Sequence, residues 1–342
     1  MSKPIKYYFL NDLDQVVAKA GQPAFRSKQL AQWLYQKHAT SYDDMTNLPK
    51  AFREKLANEY PLWVPRELDK QVSIDGTRKY VLQYPDETIV ETVGIPSNDG
   101  RLTVCCSSQA GCAMGCVFCA TGKEGFKRNL YPGEIVDQIF HVQEDFSKRV
   151  TNIVMMGQGE PFANYSHALE SMRICNNQNL LDIGSRRITI STCGVLRGIE
   201  RFENEPEQFT LAVSLHSAIQ KKRNYLMPAM KQFNLNELRA VLEHYIDRTN
   251  RRVTFEYALI NEVNDSNEDL DALIKYCRGM LCHVNLIALN RIPDSEFGPS
   301  SNARTQYWLN ALNKAGVNTT LRHSHGADIA GACGQLANSF LR

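Results

Sequence analysis

Apolar positions near the start of the chain recur at helical spacing. In Ser27-Lys28-Gln29-Leu30-Ala31-Gln32-Trp33-Leu34-Tyr35 they fall three to four residues apart, and Leu48-Pro49-Lys50-Ala51-Phe52 reads as the first turn of another helix. The pattern predicts a small helical unit running to about Glu67, within residues 1–75. Between Thr77 and Ile95 the period shortens to that of strands. Tyr80-Val81-Leu82-Gln83-Tyr84, a Pro85-Asp86 turn and Thr88-Ile89-Val90-Glu91-Thr92-Val93 predict a β-hairpin in residues 76–100. From Leu102 onward short apolar runs alternate with helical stretches. Six strands are expected, at Leu102–Cys106, Asn152–Met156, Arg187–Ser191, Phe209–Ser214, Val253–Leu259 and Val284–Ala288, with helices such as Gly133–Phe146 and Asn236–Thr249 between them. A seventh strand, Asn318–Leu321, follows a helix at Ala303–Ala315. Such a βα series makes an α/β fold with a parallel sheet. Six or seven units in a row favour a full or partial barrel in residues 101–342, whose ligands gather at the strand C-terminal ends. A doubly wound sheet fits the same periodicity.

With 342 residues, 43% hydrophobic and 22% charged, the chain has the balance of a folded globular protein. No apolar run approaches the roughly 20 residues of a membrane helix. The opening Met1-Ser2-Lys3-Pro4-Ile5-Lys6 lacks a signal peptide's apolar stretch, so no membrane association and a cytoplasmic location are expected. A net charge of +2 neither demands nor excludes a nucleic-acid partner. Basic pairs and triplets at Lys127-Arg128, Lys148-Arg149, Arg186-Arg187, Lys221-Lys222-Arg223 and Arg251-Arg252 are either solvated surface or phosphate contacts.

The ten cysteines change the picture, because a reducing cytoplasm favours metal binding or reactivity over disulfides. Cys105, Cys106, Cys112, Cys116 and Cys119 crowd into fifteen residues, whereas Cys175, Cys193, Cys277 and Cys282 are scattered like small buried hydrophobes. Gly111-Cys112-Ala113-Met114-Gly115-Cys116-Val117-Phe118-Cys119 is a C-x3-C-x2-C loop after the first barrel strand. Three thiols would leave one iron of a 4Fe-4S cluster open to a ligand; a zinc loop with a fourth ligand elsewhere, or a reduced cysteine-rich turn, is the plainer reading. After the second strand comes Met155-Met156-Gly157-Gln158-Gly159-Glu160-Pro161, a turn in which glycines allow close backbone approach and a carboxylate can accept from an ammonium group. Ser191, Ser214-Leu215-His216 and Asn290 stand at further strand ends, where short polar groups serve either as helix caps or as ligand contacts.

The cysteine loop resembles that of the radical S-adenosylmethionine (SAM) superfamily. The resemblance implies that Cys112, Cys116 and Cys119 hold a 4Fe-4S cluster, and that Gly159, Glu160, Ser191, Ser214, Leu215, His216 and Asn290 cradle SAM. Further segments narrow it: Asp44-Met45-Thr46-Asn47-Leu48-Pro49-Lys50, Val90-Glu91-Thr92-Val93-Gly94-Ile95-Pro96, Cys105-Cys106-Ser107-Ser108-Gln109-Ala110-Gly111-Cys112, and the tail Gly326-Ala327-Asp328-Ile329-Ala330-Gly331-Ala332-Cys333-Gly334-Gln335-Leu336. Over nearly the whole length the chain is similar to the RlmN/Cfr family of adenosine RNA methyltransferases, most of all its RlmN branch. The fold implied is a partial (βα)6-type radical SAM barrel with a small N-terminal helical domain and a β-hairpin extension.

By this resemblance Cys333 accepts a methyl group from one SAM, and a radical generated from a second SAM activates it for addition to an adenine ring carbon. Glu91 would then take the ring proton, and Cys105 would form a disulfide with Cys333 as product leaves. Strand alternation sends Cys105 and Cys106 to opposite faces, and the spacing to Cys112 selects Cys105. The implied substrate is carbon-2 of an adenosine in the peptidyl-transferase region of 23S rRNA, and also the adenosine 3′ of the anticodon in tRNA. An electron donor such as flavodoxin or ferredoxin is implied as well. The alternatives are a Cfr-type reaction at carbon-8, against which Gly159-Glu160-Pro161 leans, and an iron–sulfur or zinc RNA-binding protein without turnover. The target base must be unstacked, and Lys28, Lys37, Lys50, Arg53 and Lys55 of the helical unit are expected to help dock its RNA. His323 and His325, near the tail, are read as solvated or RNA-facing rather than metal-binding. Three positions depart from the family pattern: Gly331 before Ala332-Cys333, Gln158 where Met is common, and Asn338 where Gly is common.

Overall fold

A computed structural model describes residues 3–292 and 295–337; Asn338 lies outside them. The chain opens with α1 (Leu13–Lys19), α2 (Phe25–Tyr35) and α3 (Lys50–Glu59). Three antiparallel strands follow, β1 (Arg66–Val72), β2 (Arg78–Gln83) and β3 (Ile89–Pro96). The main body starts with β4 (Leu102–Cys105), a small hairpin of β5 (Gln109–Gly111) and β6 (Phe126–Asn129) enclosing α4 (Ala120–Glu124), and α5 (Pro132–Asp145). It continues through β7 (Asn152–Met155), α6 (Tyr165–Asn176), β8 (Ile188–Thr192), α7 (Leu196–Phe202) and β9 (Thr210–Ser214). The remaining elements are α8 (Gln220–Leu226), α9 (Leu235–Thr249), β10 (Val253–Leu259), α10 (Asn267–Cys277), β11 (Cys282–Ala288), α11 (Asn302–Lys314) and β12 (Thr319–Arg322).

Ten strands form one sheet in the order β1-β2-β3-β4-β7-β8-β9-β10-β11-β12. From β4 to β12 every pairing is parallel and the order follows the sequence. A doubly wound sheet reverses its order at a switch point; this one does not. Among the described residues no ladder joins β12 back to β4, so the barrel is partial. Two expectations are adjusted. Residues 66–72, placed in the helical unit, are strand β1, and the antiparallel extension is part of the main sheet, because β3 pairs with β4.

The register assigns the faces. Val104, Ile153, Met155, Ile190, Leu211, Val213, Phe255, Tyr257, Val284 and Leu286 are buried in the main core, where truncating a leucine to alanine costs about 2–5 kcal/mol. The alternate residues line the inner face: Cys105 pairs with Val154, Ser191 with Ala212, and Ser214 with Glu256, which pairs with Asn285 and, through it, Thr320. An inward row so rich in polar side chains marks a lumen rather than a packed centre.

The helical unit is fastened to α5 by a buried pair, Lys6 Nζ to Asp137 Oδ1 at 2.6 Å, and by Tyr7, which donates to Glu134 and stacks on Tyr131 with ring centroids 3.5 Å apart. Lys28, Lys37 and Lys50 are exposed. Arg53 and Lys55 instead donate to the carbonyls of Asp43 and Lys19, so they brace the unit. Two of the basic clusters are partly taken up inside: Arg128 pairs with Asp86 and Glu134, Lys222 with Asp269, and Arg223 is buried, while Lys127 and Lys221 are exposed. No helix of the described residues is long and apolar enough to cross a membrane.

Candidate active site

The cysteine loop runs from β5 into α4. Gly115, at φ +63°, reverses the chain between Cys112 and Cys116, and Gly122 packs so closely that a Cβ there would lie 2.8 Å from the Cys116 carbonyl oxygen. The three thiols are electrostatic neighbours of one another. Desolvation pushes Cys112 up to about 12 and also raises Cys119, whose sulfur is met by N–H groups of Thr121 and Gly122 that favour the thiolate. Among the described residues no three His, Cys, Asp or Glu side chains converge on a single metal ion. A 4Fe-4S cluster asks for a wider set, one thiolate per iron, so three neighbouring thiols on one turn with backbone donors suit it better than they suit zinc.

Beside this loop, Gly157 and Gly159 thread between β7 and the β4–β5 connection. A Cβ on Gly159, at φ +102°, would come within 2.6 Å of Gln109, and one on Gly157 within 2.7 Å of Ser107 Oγ. Glu160 is 1% exposed; its carboxylate accepts the N–H groups of Phe162 (2.9 Å) and Cys193 (2.7 Å). Burial raises its pKa, and those two N–H groups oppose the rise. Ser191 and Ser214 face the lumen. Leu215 has a buried side chain and donates its N–H to the Glu256 carbonyl at 3.0 Å, while its carbonyl accepts the Ser217 N–H at 2.7 Å, so only that carbonyl's second lone pair is left for a ligand. His216, at φ +53°, accepts the Ala258 N–H at Nδ1 (3.0 Å). Burial and the Arg223 cation push its pKa down to about 3, so it is a neutral imidazole with its proton on Nε2.

The tail crosses this mouth. It is first stitched to the β1–β2 turn: Ser73 Oγ and the Ile74 N–H donate to Asp328, while His325 and the Gly326 N–H meet Asp75. Asn290 donates to the Cys333 carbonyl (3.1 Å), the Ala120 N–H to that of Gly334 (2.8 Å), and Thr121 Oγ1 to that of Leu336 (2.6 Å). The Ala337 N–H then donates to Glu91 Oε2 at 2.8 Å. Cys333 counts as exposed, yet surrounding protein desolvates its thiol and, with Cys105 as a neighbour, pushes it up to about 12. Both observations hold for a group lining a hollow. Cys105 is likewise held at about 12, chiefly by burial. Cys106 is fully buried, as alternation requires. Glu91, Cys105 and Cys333, distant in sequence, are thus gathered at one mouth, beside the cysteine loop and the glycine turn.

Three residues here escape sequence reasoning. Gln158 is wholly buried, and its Oε1 accepts the Glu91 N–H (3.2 Å) while its own N–H donates to Ser107 Oγ (2.9 Å); it ties the glycine turn to β3. Cys193 is not a passive hydrophobe: a hydrogen bond with Cys116, together with burial, raises its thiol. Arg223 donates to the Cys193 carbonyl (2.6 Å), putting a buried cation beside the loop. The sequence marked Gln158 only as a family departure, Arg223 only as part of a basic cluster and Cys193 only as a buried hydrophobe, although Cys193 stands just past a strand end.

Residues 8–61 match the ribosomal RNA large subunit methyltransferase N-terminal domain, and residues 106–277 match the radical SAM superfamily. The chain is 40% identical to a protein of Clostridium novyi named "Probable dual-specificity RNA methyltransferase RlmN", with 99% of each covered. It is 42% identical to one of the same name from Geobacillus kaustophilus, covering 96% of this chain and 90% of that one. A crystal structure of a radical SAM methyltransferase from Sphaerobacter thermophilus superposes with a TM-score of 0.92 at 41% identity, covering 98% of this chain and 99% of that one. With its helical N-terminal unit, partial barrel and cysteine loop all matched, the chain belongs to the RlmN family of radical SAM RNA methyltransferases.

Proposed function

We propose that this enzyme methylates carbon-2 of an adenosine, in the peptidyl-transferase region of 23S rRNA and next to the anticodon of tRNA, by way of a methylated Cys333. When bound, a 4Fe-4S cluster and SAM supply the methyl group and the radical that an unreactive ring carbon demands. Cys112, Cys116 and Cys119 would hold the cluster. Gly159, Glu160, Ser191, Ser214, the Leu215 backbone, His216 and Asn290 would hold SAM, with Glu160 accepting from its ammonium group and neutral His216 adding no positive charge.

Cys333 takes the methyl group as a thiolate. Its thiol is held neutral by the wall of the mouth, so an approaching sulfonium cation favours the ionised form where it is needed. Once the Cys333 methylene is joined to carbon-2, Glu91 removes the proton from that carbon. Cys105 then gives up its proton and bonds to the Cys333 sulfur as the sulfur–methylene bond breaks; the electron pair of that bond goes to the methylene carbon, which takes up a proton, leaving a disulfide and methylated RNA.

The observation that carries this reading is the tail: it presents Cys333 beside Cys105 while its Ala337 N–H seats the Glu91 carboxylate. The test is to reconstitute the protein without oxygen, supply SAM, reductant and unmodified 23S rRNA or tRNA, and separate the digested nucleosides. A 2-methyladenosine product is expected from both RNAs. An 8-methyl product would replace the carbon assignment, and SAM cleavage without methylated RNA would overturn the substrate.

A further inference from the structure

We infer that Lys79 is a positioning residue for the proton-transfer step, its buried ammonium holding the Glu91 carboxylate ionised and aimed into the mouth. The inference rests on the reading of Glu91 as the base. Lys79 Nζ lies 3.6 Å from Glu91 Oε1, and the two side chains are 2% and 0% exposed. Lysine is almost never buried to that degree unless paired. The sheet register builds the pair: Lys79 opposes Val93 and Val81 opposes Glu91, so the two residues are diagonal neighbours across β2 and β3. Both face inward with Cys105, which opposes Val93 from the other side.

Glu91 is fixed on three further sides. Gln158 accepts its N–H, Ser107 Oγ donates to its carbonyl at 2.6 Å, and the Ala337 N–H holds Oε2. Hydrogen bonds of this kind set direction, whereas a full positive charge decides whether a carboxylate taken out of water keeps its own charge. A buried pair is a poor stabiliser compared with apolar side chains of like volume, so its presence beside the mouth calls for a use beyond stability. A base that must be ionised before the substrate arrives is such a use.

The step balances simply. The proton on the substituted ring carbon passes to a Glu91 oxygen, the electron pair of the broken C–H bond stays in the ring, and the one unpaired electron left by radical addition returns to the one-electron carrier that began the turnover. Glu91 then gives its proton to water as product leaves, which restores the pair. Among the described residues the titratable groups at this face include the Cys105 thiol from β4 and the Cys333 thiol from the tail, and Cys333 in turn feels Glu256 from β10 and Arg322 from β12. Both thiols are held up at about 12 and so are neutral near pH 7, so a pH dependence of release that changes with Lys79 reports on Glu91.

The test uses the reconstituted holoenzyme in two stages. Methylation of Cys333 by SAM is followed by mass spectrometry, and after RNA and reductant are added the covalent protein–RNA adduct is followed on denaturing gels. Lys79→Met is expected to methylate Cys333 like the unaltered enzyme and to form the adduct. It should release the adduct about tenfold or more slowly near pH 7, recovering as pH rises towards about 9, because a carboxylate without its cation ionises at higher pH. Lys79→Arg should restore most of the rate, and Glu91→Gln should hold the adduct at every pH. If Glu91→Gln blocks release while Lys79→Met matches the unaltered enzyme, Lys79 has no such role. If Glu91→Gln releases normally, the base assignment itself fails. If Lys79→Met and a second neutral variant, Lys79→Gln, both lose Cys333 methylation, the pair is structural and the inference is overturned.

Discussion

Two buried carboxylates, one at each side of the mouth, are treated differently by the fold. Around Glu160 the chain offers two backbone N–H groups, from Phe162 and Cys193. Around Glu91 the described residues include the Ala337 N–H and the ammonium of Lys79. The first environment is a fixed cradle of neutral dipoles, suited to a group that keeps its charge while it accepts from a bound ligand. The second joins a tail that crosses the mouth to a buried lysine 3.6 Å away, an arrangement suited to the proposed role of a group that loses its charge and regains it. The same side chain becomes a binder or a base through its neighbours.

The largest effect should separate these roles outright. Glu91→Gln, which keeps the shape and removes the proton acceptor, should lower turnover by about 10²–10⁴ while Cys333 is still methylated, as read by mass spectrometry of the tail peptide. Glu160→Gln should do the reverse, weakening SAM binding by about ten- to a hundredfold in equilibrium dialysis and leaving adduct release unchanged. Should Glu160→Gln stall release instead, the contrast between the two carboxylates is lost.

The pH dependence of the thiol sharpens the same contrast. Burial raises Cys333 to about 12, so its neutral form dominates at all lower pH. Its alkylation by iodoacetamide should climb about tenfold per pH unit between roughly pH 7 and 9 without levelling off. A free thiol would flatten above about pH 8.5, and such a plateau in the carbamidomethylated fraction would show that the wall does not desolvate it. Gly159→Ala tests the cradle: with φ +102° and a Cβ 2.6 Å from Gln109, it should cost about 1–3 kcal/mol in a denaturant melt. The smallest effect is expected from Asp328→Asn, which weakens the stitch to Ser73 and Ile74; proteolysis of the tail should quicken with no measurable change in melting.

Much of the fold was legible because its strands are short apolar runs between amphipathic helices, a periodic signal independent of partners. Strand β1 was not. Its Arg-Glu-Leu-Asp-Lys-Gln-Val sequence is half exposed at the sheet edge and shows no alternation, so only its pairing with β2 makes it a strand. The β5–β6 hairpin, with strands of three and four residues, is too short to carry a period. The cluster loop was readable because its ligands are local, three thiols on one turn. Cys333, Glu91 and Cys105 became visible only through likeness to a family, since no spacing joins residues brought together by a sheet register and a returning tail. Lys79 had no mark at all, since a lysine in a hairpin reads as solvated, and Gln158 showed only as a departure from the family pattern, with no role attached. Their burial beside Glu91 is a property of three dimensions alone.

Helix α4 begins at Ala120, immediately after Cys119, and the Ala120 N–H holds the carbonyl of Gly334, immediately after Cys333. Cys119 and Cys333 are therefore one residue away from opposite ends of a single hydrogen bond, and Thr121 adds a second to Leu336. The cysteine loop thus doubles as the clasp of the tail. On the proposed roles, filling that loop with a cluster would stiffen the anchorage of the Cys333 thiol and emptying it would slacken the same anchorage, so metal occupancy would be readable as mechanical order at a distant sulfur.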